Sequence, residues 1–219
     1  MSETRLFDGL RTLRAIREFT DEPVKDDQIE AILDLAVRAP SAGNRQPWHF
    51  IVIRDPDTRR AIRDHYLASF RRYKDGVLKQ AAAGHEAARA QVKRWETRGA
   101  PDNFAETLDR IPVLILVCLD RDRLGLPTDG KDFIGAPSAY ASVYPAVQNL
   151  MLAAHGFGLG SVLTTLHLPA EREIKALLGI PAHVQTVALV PIGHPRRKHG
   201  PPQRIPASER THRDRWGGR

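Results

Sequence analysis

The sequence predicts a layered α+β domain, and three observations support this. Helical patterns and apolar, β-rich runs alternate irregularly along the chain, which favours α+β layering over a doubly wound sheet. With 219 residues, one domain can bury a sizeable core of its own, and neither a repeat nor a linker divides it. The hydrophobic content of 42% and the charged content of 27% are typical of a soluble globular protein.

The composition also indicates where the protein works. No apolar run approaches the length of a membrane span, and residues 1–5 lack a signal-peptide pattern. The single cysteine, Cys118, excludes internal disulfides and fits a reducing compartment, so we expect a cytoplasmic protein. Because Cys118 lies inside the apolar run 113–119, we expect it to be buried and inert.

The positive charge is concentrated at the C-terminus. Residues 196–219 carry a net charge of +6, which leaves only +1 of the total +7 for the other 195 residues. A DNA-binding domain is expected to carry a basic face on its folded body, so this distribution argues against nucleic acid as a partner. The basic tail could be a solvated arm, a phosphate-binding segment or an arm that covers a partner subunit.

Residues 6–17 predict a first helix, because Leu6, Leu10, Leu13 and Ile16 recur at roughly helical spacing. Arg14 and Arg17 would then lie one turn apart on one face. Such a pair is either a solvated basic surface or a pair of guanidinium groups that bind one phosphate.

A second helix is predicted from about residue 25 to Pro40, where proline stops it. The following loop contains Gly43, at which the chain can turn, and the side-chain amides of Asn44 and Gln46. Each amide offers a donor and an acceptor on one flat group, which suits the edge of a planar heterocycle. An ordinary polar loop is the competing interpretation.

The rest of the chain predicts further strands and helices, and one long loop. Strands are predicted at 48–53, 113–119, 161–165 and 185–192, helices at 56–110, 144–155 and 169–178, and a loop at 120–140. The glycines at 156–160 close a helix and precede a strand, so they predict a helix end and a tight turn and not a dinucleotide-binding motif.

The sequence offers no metal or nucleophile motif. The nine histidines form no helical metal-binding pair, and no Ser–His–Asp or paired-acid arrangement can be singled out. If the protein is an enzyme, we therefore expect a cofactor to supply the reactive group.

Three stretches together resemble the FMN-dependent nitroreductase family. They are residues 14–19 (RAIREF), residues 39–48 (APSAGNRQPW), and residues 144–154 (YPAVQNLMLAA) running into Gly158-Leu159-Gly160 and then Pro191-Ile192-Gly193-His194-Pro195. The resemblance covers residues 10–55 and 140–205, and the order and spacing of the stretches are specific. It implies a layered α/β/α fold with a mostly antiparallel sheet, an intertwined homodimer, and one FMN in each of two interface clefts.

The resemblance also implies the cofactor-binding residues and names no protein residue as catalytic, because flavin N5 is the reactive centre. The implied FMN-binding residues are Arg14, Ala15, Ile16, Arg17, Pro40, Ser41, Ala42, Asn44, Gln46, Leu163, Thr164, Thr165 and Arg204. Within this set, Arg14, Arg17 and the tail residue Arg204 would hold the phosphate. Ser41, Asn44 and Gln46 of one subunit would contact the ring and ribityl chain, and residues 163–165 of the other would place a backbone N–H near N5.

The sequence departs from the family pattern twice. Ala15 stands where many members have serine, which removes one hydroxyl from the phosphate site, and residues 163–165 replace a Pro-x-Glu. By resemblance, we expect an NADH- or NADPH-dependent oxidoreductase that passes hydride through flavin N5, by a ping-pong route, to nitroaromatics, quinones or related acceptors. A relative with different flavin chemistry (reductive dehalogenation, flavin fragmentation or ene reduction) and a nucleic-acid or acidic-partner binding protein are the alternatives.

Overall fold

A computed structural model describes residues 6–98, 102–124 and 135–218. The helices are α1 (Leu6–Thr12), α2 (Asp26–Ala36), α3 (Pro56–Ala82), α4 (Glu86–Arg98), α5 (Asp102–Glu106), α6 (Gly135–Ala141), α7 (Tyr144–Gly156) and α8 (Glu171–Leu178). The strands are β1 (Trp48–Ile53), β2 (Val113–Asp120), β3 (Gly160–Ser161) and β4 (Val184–Gly193). Within these ranges, no helix combines the length and the apolar character needed to cross a bilayer.

The strands form one sheet in the order β1-β2-β4-β3, with each neighbouring pair antiparallel. The register aligns Trp48 with Leu119 at one end of the sheet. At the other end, Ser161 lies opposite Ile192. The two edge strands, β1 and β3, are therefore separated by the full width of the sheet.

Helices cover both faces of the sheet, which confirms the predicted α/β/α layering. Alternate residues of β2 point to opposite faces, as a pleated strand requires. Leu114, Leu116 and Cys118 pack against α3, α5 and α8. The odd-numbered residues 113–119 pack against α2 and α7. Cys118 is buried as predicted, and burial raises the pKa of its thiol to about 12, so the thiol stays protonated and inert near neutral pH.

Several local predictions are confirmed by their expected interactions. The Asp55 carboxylate accepts from the Thr58 N–H at 2.7 Å and caps α3, with Pro56 in its first turn. Helix α2 ends at Ala36, shortly before Pro40. Gly158 has a φ of 77° and forms the predicted turn between α7 and β3.

The prediction of a first helix through residue 17 is wrong. Helix α1 ends at Thr12, and the chain then runs alongside the sheet. Ala15 forms a parallel bridge with Ser161, and the Ile16 N–H donates to the Ser161 carbonyl at 2.9 Å. Pairing to the sheet satisfies the backbone in place of a helical bond, so Arg14 and Arg17 do not share a helix face.

Two boundaries also differ from prediction. Of the loop predicted over 120–140, residues 125–134 lie outside the described part, and Gly135–Ala141 is helical. Pro137 lies in the first turn of this helix. A proline is tolerated there, because the N–H that it lacks would have no intrahelical partner. The strand predicted over 161–165 is reduced to β3 and a single bridge between Thr164 and Leu189.

Among the described residues of the C-terminal segment, hydrogen bonds to the body occur at its start. The Arg196 N–H donates to the Glu18 carbonyl, and Arg14 Nη1 donates to the Gly200 carbonyl at 3.1 Å. Beyond Gly200, the described residues are almost all exposed, and Trp216 retains 88% of its accessible surface.

The close approach of the N-terminal segment to β3 gives a first testable prediction. A Cβ at Gly160 would lie 2.8 Å from Ile16 Cγ2, and Ile16 cannot move away because its backbone is paired and its side chain is β-branched. We expect Gly160→Ala to lower the free energy of unfolding by about 1–3 kcal/mol, measured by urea denaturation. Gly156→Ala is the matched control, since nothing lies within 4 Å of its Cβ. Equal stability of the two variants would contradict this account.

Candidate functional site

The arginine segment, residues 14–17, lies beside the start of residues 161–165. The bridge between Ala15 and Ser161 joins the two segments in one chain. Arg14 points to the C-terminal segment, where it binds Gly200. Arg17 lines a cavity of about 290 Å³ together with Arg196. The two guanidinium groups thus have different neighbours within the protomer.

Polar groups in this region lack partners among the described residues. Arg14 Nε and Ser161 Oγ are both buried without a hydrogen bond. Arg17 is exposed, and its guanidinium makes no hydrogen bond or ion pair within the ranges that the structure covers. Unsatisfied guanidinium donors suit an anion with several acceptor oxygens, of which a phosphate monoester is one.

Residues 163–165 present part of their backbone to the outside. The Thr164 N–H and C=O both bond to Leu189, each at 2.9 Å. Because successive backbone groups of an extended segment point to opposite sides, the N–H groups of Leu163 and Thr165 face away from β4. Neither N–H has a backbone partner among the described residues, whereas the Thr164 N–H is already bonded. Of the three, only the Leu163 and Thr165 N–H groups are therefore available for the donor role that the sequence predicts.

The amide loop, residues 41–46, is held by hydrogen bonds within the loop and by one hydrogen bond to Ser142. The Gln46 N–H donates to Ser41 Oγ at 3.0 Å, and the Ala42 N–H donates to Ser142 Oγ at 3.1 Å. Gln46 Nε2 donates to Asn44 Oδ1 at 3.2 Å. This pairing leaves Gln46 Oε1 as an acceptor and Asn44 Nδ2 as a donor for a ligand with matching polar edges.

Three residues of the loop have left-handed backbone conformations. Gly43, Asn44 and Gln46 have φ values of 57°, 52° and 49°. Glycine and asparagine adopt this region readily, whereas glutamine adopts it at a cost in free energy. A strained residue in an exposed loop needs support from its surroundings, and here the Ser41 hydroxyl supplies it.

Within one chain the arginine segment and the amide loop do not meet. The loop precedes Trp48, at the end of β1 that pairs with Leu119. The arginine segment lies beside β3, at the other edge and the other end of the sheet. From the rise per residue and the strand spacing, these corners are on the order of 20 Å apart.

The structure also shows which residues sequence reasoning missed. Pro40 and Arg204 are exposed, and within the described residues the only side-chain hydrogen bond of Arg204 goes to the adjacent Gln203 carbonyl. It is Arg196 and Gly200, neither of them predicted, that reach the arginine segment. Ser142 was missed as well, because no motif links it to a loop 100 residues earlier.

A cluster of two aspartates and one histidine lies at the end of the sheet that is nearer to the amide loop. Potential ligand atoms of Asp120, Asp122 and His183 lie within 4.8 Å of one another. Asp120 already accepts from the Asp122 N–H at 3.0 Å and lies 3.6 Å from both His49 Nε2 and Arg123 Nε. These contacts balance its charge, so the group by itself does not indicate a metal site.

Comparison with known proteins identifies the family. The family model described as "Nitroreductase family" matches residues 10–194. The chain belongs to the Nitroreductase family. This match includes the arginine segment, the amide loop and residues 163–165, whereas Arg204 lies beyond it.

Three relatives illustrate the range of this family. The chain is 30% identical to an "NADH dehydrogenase" of Thermus thermophilus, over 88% of each protein. It is 30% identical to iodotyrosine deiodinase 1 of Rattus norvegicus, over 90% of this chain but 64% of that protein. A crystal structure of oxidised iodotyrosine deiodinase bound to FMN and 3-iodo-L-tyrosine superposes with a TM-score of 0.72 at 25% identity, over 92% of this chain and 96% of that one.

His167, two residues after Thr165, is fully buried, and neither ring nitrogen has a partner among the described residues. Burial lowers the pKa of this imidazole to about 4, so it is neutral in the folded protein at pH 7. In the unfolded chain, the ring takes up a proton below about pH 6.5.

His167 therefore predicts a loss of stability in acid. Between pH 6.5 and 4 the unfolded chain binds a proton that the folded protein does not, so the free energy of unfolding should fall by about 3 kcal/mol as the pH is lowered. Urea denaturation at several pH values measures this slope. His167→Gln should make the slope shallower, whereas the exposed-site control His85→Gln should follow the wild type. A slope that is the same in all three proteins would refute the assignment.

Proposed function

We propose that this protein is an FMN-dependent NAD(P)H oxidoreductase whose acceptors are nitroaromatics, quinones or related compounds. The observation that carries the proposal is the set of unsatisfied donors in the arginine segment, since a phosphate monoester is the group they suit. The membership of the chain in the Nitroreductase family supports the same cofactor. So does the FMN in the iodotyrosine deiodinase structure.

The residues fit FMN by their chemistry. Arg14 and Arg17 would hold the phosphate, and the charge-assisted hydrogen bonds they offer are among the stronger ones in proteins. Gln46 Oε1 and Asn44 Nδ2 would bind the polar edge of the ring, and the Leu163 or Thr165 N–H would donate towards N5. FMN, if bound by these residues, would supply the two-electron hydride chemistry that links NAD(P)H to the acceptor. The protein residues would bind and orient the reactants, and the protons that the acceptor takes up with the hydride would come from solvent.

We also propose that the working unit is a homodimer. A ligand held by both the arginine segment and the amide loop must reach two corners that are far apart in one chain. A second copy can bring its amide loop to the arginine segment of the first. The exposed apolar residues of α1, which are Leu6, Phe7 and Leu10, are available to be covered in such a dimer. The tail beyond Gly200 would extend over the partner, with Arg204 reaching the phosphate there.

Reductive dehalogenation is the second candidate function. The similarity to iodotyrosine deiodinases, in sequence and in structure, favours it. Steady NAD(P)H consumption with a nitroaromatic acceptor would support the first candidate. Iodide release from an iodophenol, without turnover of the nitroaromatic, would support the second. The proposed location is the cytoplasm, and nucleic acid is not a proposed partner because the body of the protein is nearly neutral.

The phosphate assignment predicts a loss of flavin in Arg17→Ala. Removing a charged donor should weaken FMN binding by roughly 10- to 100-fold while the protein stays folded, because Arg17 is exposed and has no partner among the described residues. Visible absorbance of the purified protein and a fluorescence titration measure the change. Arg11→Ala removes the same charge from exposed α1 and should retain the flavin. Full FMN occupancy in Arg17→Ala would refute the assignment.

A shared cleft predicts complementation between two defective chains. In a mixed dimer of Arg17→Ala and Asn44→Ala chains, one cleft receives both substitutions and the other receives neither. We therefore expect wild-type FMN affinity at one of its two clefts, although each parent homodimer binds weakly. Purification by two different affinity tags, followed by flavin titration, checks this. If no cleft recovers, the two residues come from the same chain.

A further inference from the structure

Thr164 is fixed from two directions. Its backbone makes two hydrogen bonds with Leu189, and its hydroxyl lies 2.9 Å from the hydroxyl of Tyr66 on α3. The side chains of Leu163 and Thr165 point to the other face of the sheet, and Leu163 packs into the core formed with α2 and α7. Thr164 therefore anchors the middle of residues 163–165, and the backbone N–H groups of Leu163 and Thr165 are left without a backbone partner among the described residues.

Tyr66 is itself held in place by packing. It is 3% exposed, and its ring meets Phe104 edge-on at a centroid distance of 6.1 Å and an angle of 86°. Burial raises the pKa of its hydroxyl, while the hydrogen bond to Thr164 and the charge of Arg17 oppose this rise. The group is a neutral phenol at physiological pH, and its position is determined by α3.

We propose that Tyr66 is a positioning residue that acts through Thr164. Tyr66 holds the Thr164 side chain on the face of the sheet that α3 covers. It thereby fixes the position and orientation of residues 163–165 relative to the sheet, and so the direction of the N–H groups of Leu163 and Thr165. This inference rests on the proposed function, in which one of those N–H groups donates towards flavin N5. The effect of Tyr66 on the flavin is indirect.

The physical reason is preorganisation. A donor aimed at a reacting atom stabilises the charge that develops there only if it is already in place before the reaction. Thr165 is exposed, so its orientation depends on the anchored residue beside it. Loss of the Tyr66 hydroxyl would leave the Thr164 backbone paired, but only the long hydrogen bond from the Leu166 N–H, at 3.5 Å, would then hold its side chain. The donor would then be less well aimed, while the surfaces that bind FMN and NAD(P)H would be unchanged.

The test uses the FMN-loaded protein and five variants. Tyr66→Phe and Thr164→Val each remove one side of the hydrogen bond, and each should slow reduction of the bound flavin by NAD(P)H about three- to tenfold, with KM within about twofold. The double variant should be no slower than either single variant, because both remove the same interaction. Thr164→Ser keeps the hydroxyl and should restore the wild-type rate. Tyr73→Phe, on the exposed side of α3, is the matched control.

The outcomes separate this inference from the proposed function. If Tyr66→Phe lowers the unfolding temperature but leaves the rate of flavin reduction and the visible spectrum unchanged, the hydrogen bond is merely structural and the inference is overturned. If Tyr66→Phe does not fold, Thr164→Val decides by the same rate. A wild-type protein that binds no FMN would overturn the proposed function and this inference together, whereas normal flavin content with unchanged rates would overturn this inference alone.

Discussion

The backbone hydrogen bond from Ile16 to Ser161 is the interaction on which the candidate site depends. It diverts the chain from a helix after Thr12 and lays Arg14 and Arg17 along the edge of the sheet. Gly160 makes this possible, because any Cβ there would collide with Ile16. The same contact brings the arginines next to the segment that continues to Thr164. A single backbone pairing between segments distant in sequence thereby joins the anion-binding and the ring-facing parts of the proposed cofactor site.

The site separates binding from chemistry. Its side chains are guanidinium groups, amides and hydroxyls, which bind and orient but do not easily transfer protons near neutral pH. The ionisable groups with large shifts, Cys118 and His167, are buried and kept neutral. Such a protein can act on redox substrates if a bound cofactor carries the electrons. Differences in acceptor would then arise from the shape of the open side of the cleft, and members of one family can differ in chemistry while they share a binding frame.

The geometry of the sheet is the physical reason for proposing a homodimer. Its two edge strands carry different parts of the site, the amide loop before β1 and the arginine segment beside β3. The central strands β2 and β4 are buried between the helical layers and hold these parts a fixed distance apart. A rigid core of this kind makes a second subunit the simplest source of the missing half. In the proposed dimer, the C-terminal segment, which leaves the body after Gly200, would extend over the second subunit.

The sequence by itself determined the layers, the buried strands and the chemical character of the site. Apolar periodicity identified α2, β2, α7 and β4, and the amides and arginines indicated an anionic, planar ligand, because these properties are local in the chain. Only the tertiary structure decided that Arg14 and Arg17 leave the first helix and that residues 135–141 are helical. It also decided that Tyr66, Ser142 and Gly200 make hydrogen bonds to residues of the predicted site. Each of these depends on a partner distant in sequence, or on a backbone bond to the sheet that competes with helix formation. The helix propensities of ordinary residues differ by less than about 1 kcal/mol per residue in free energy, so such tertiary contacts can outweigh them.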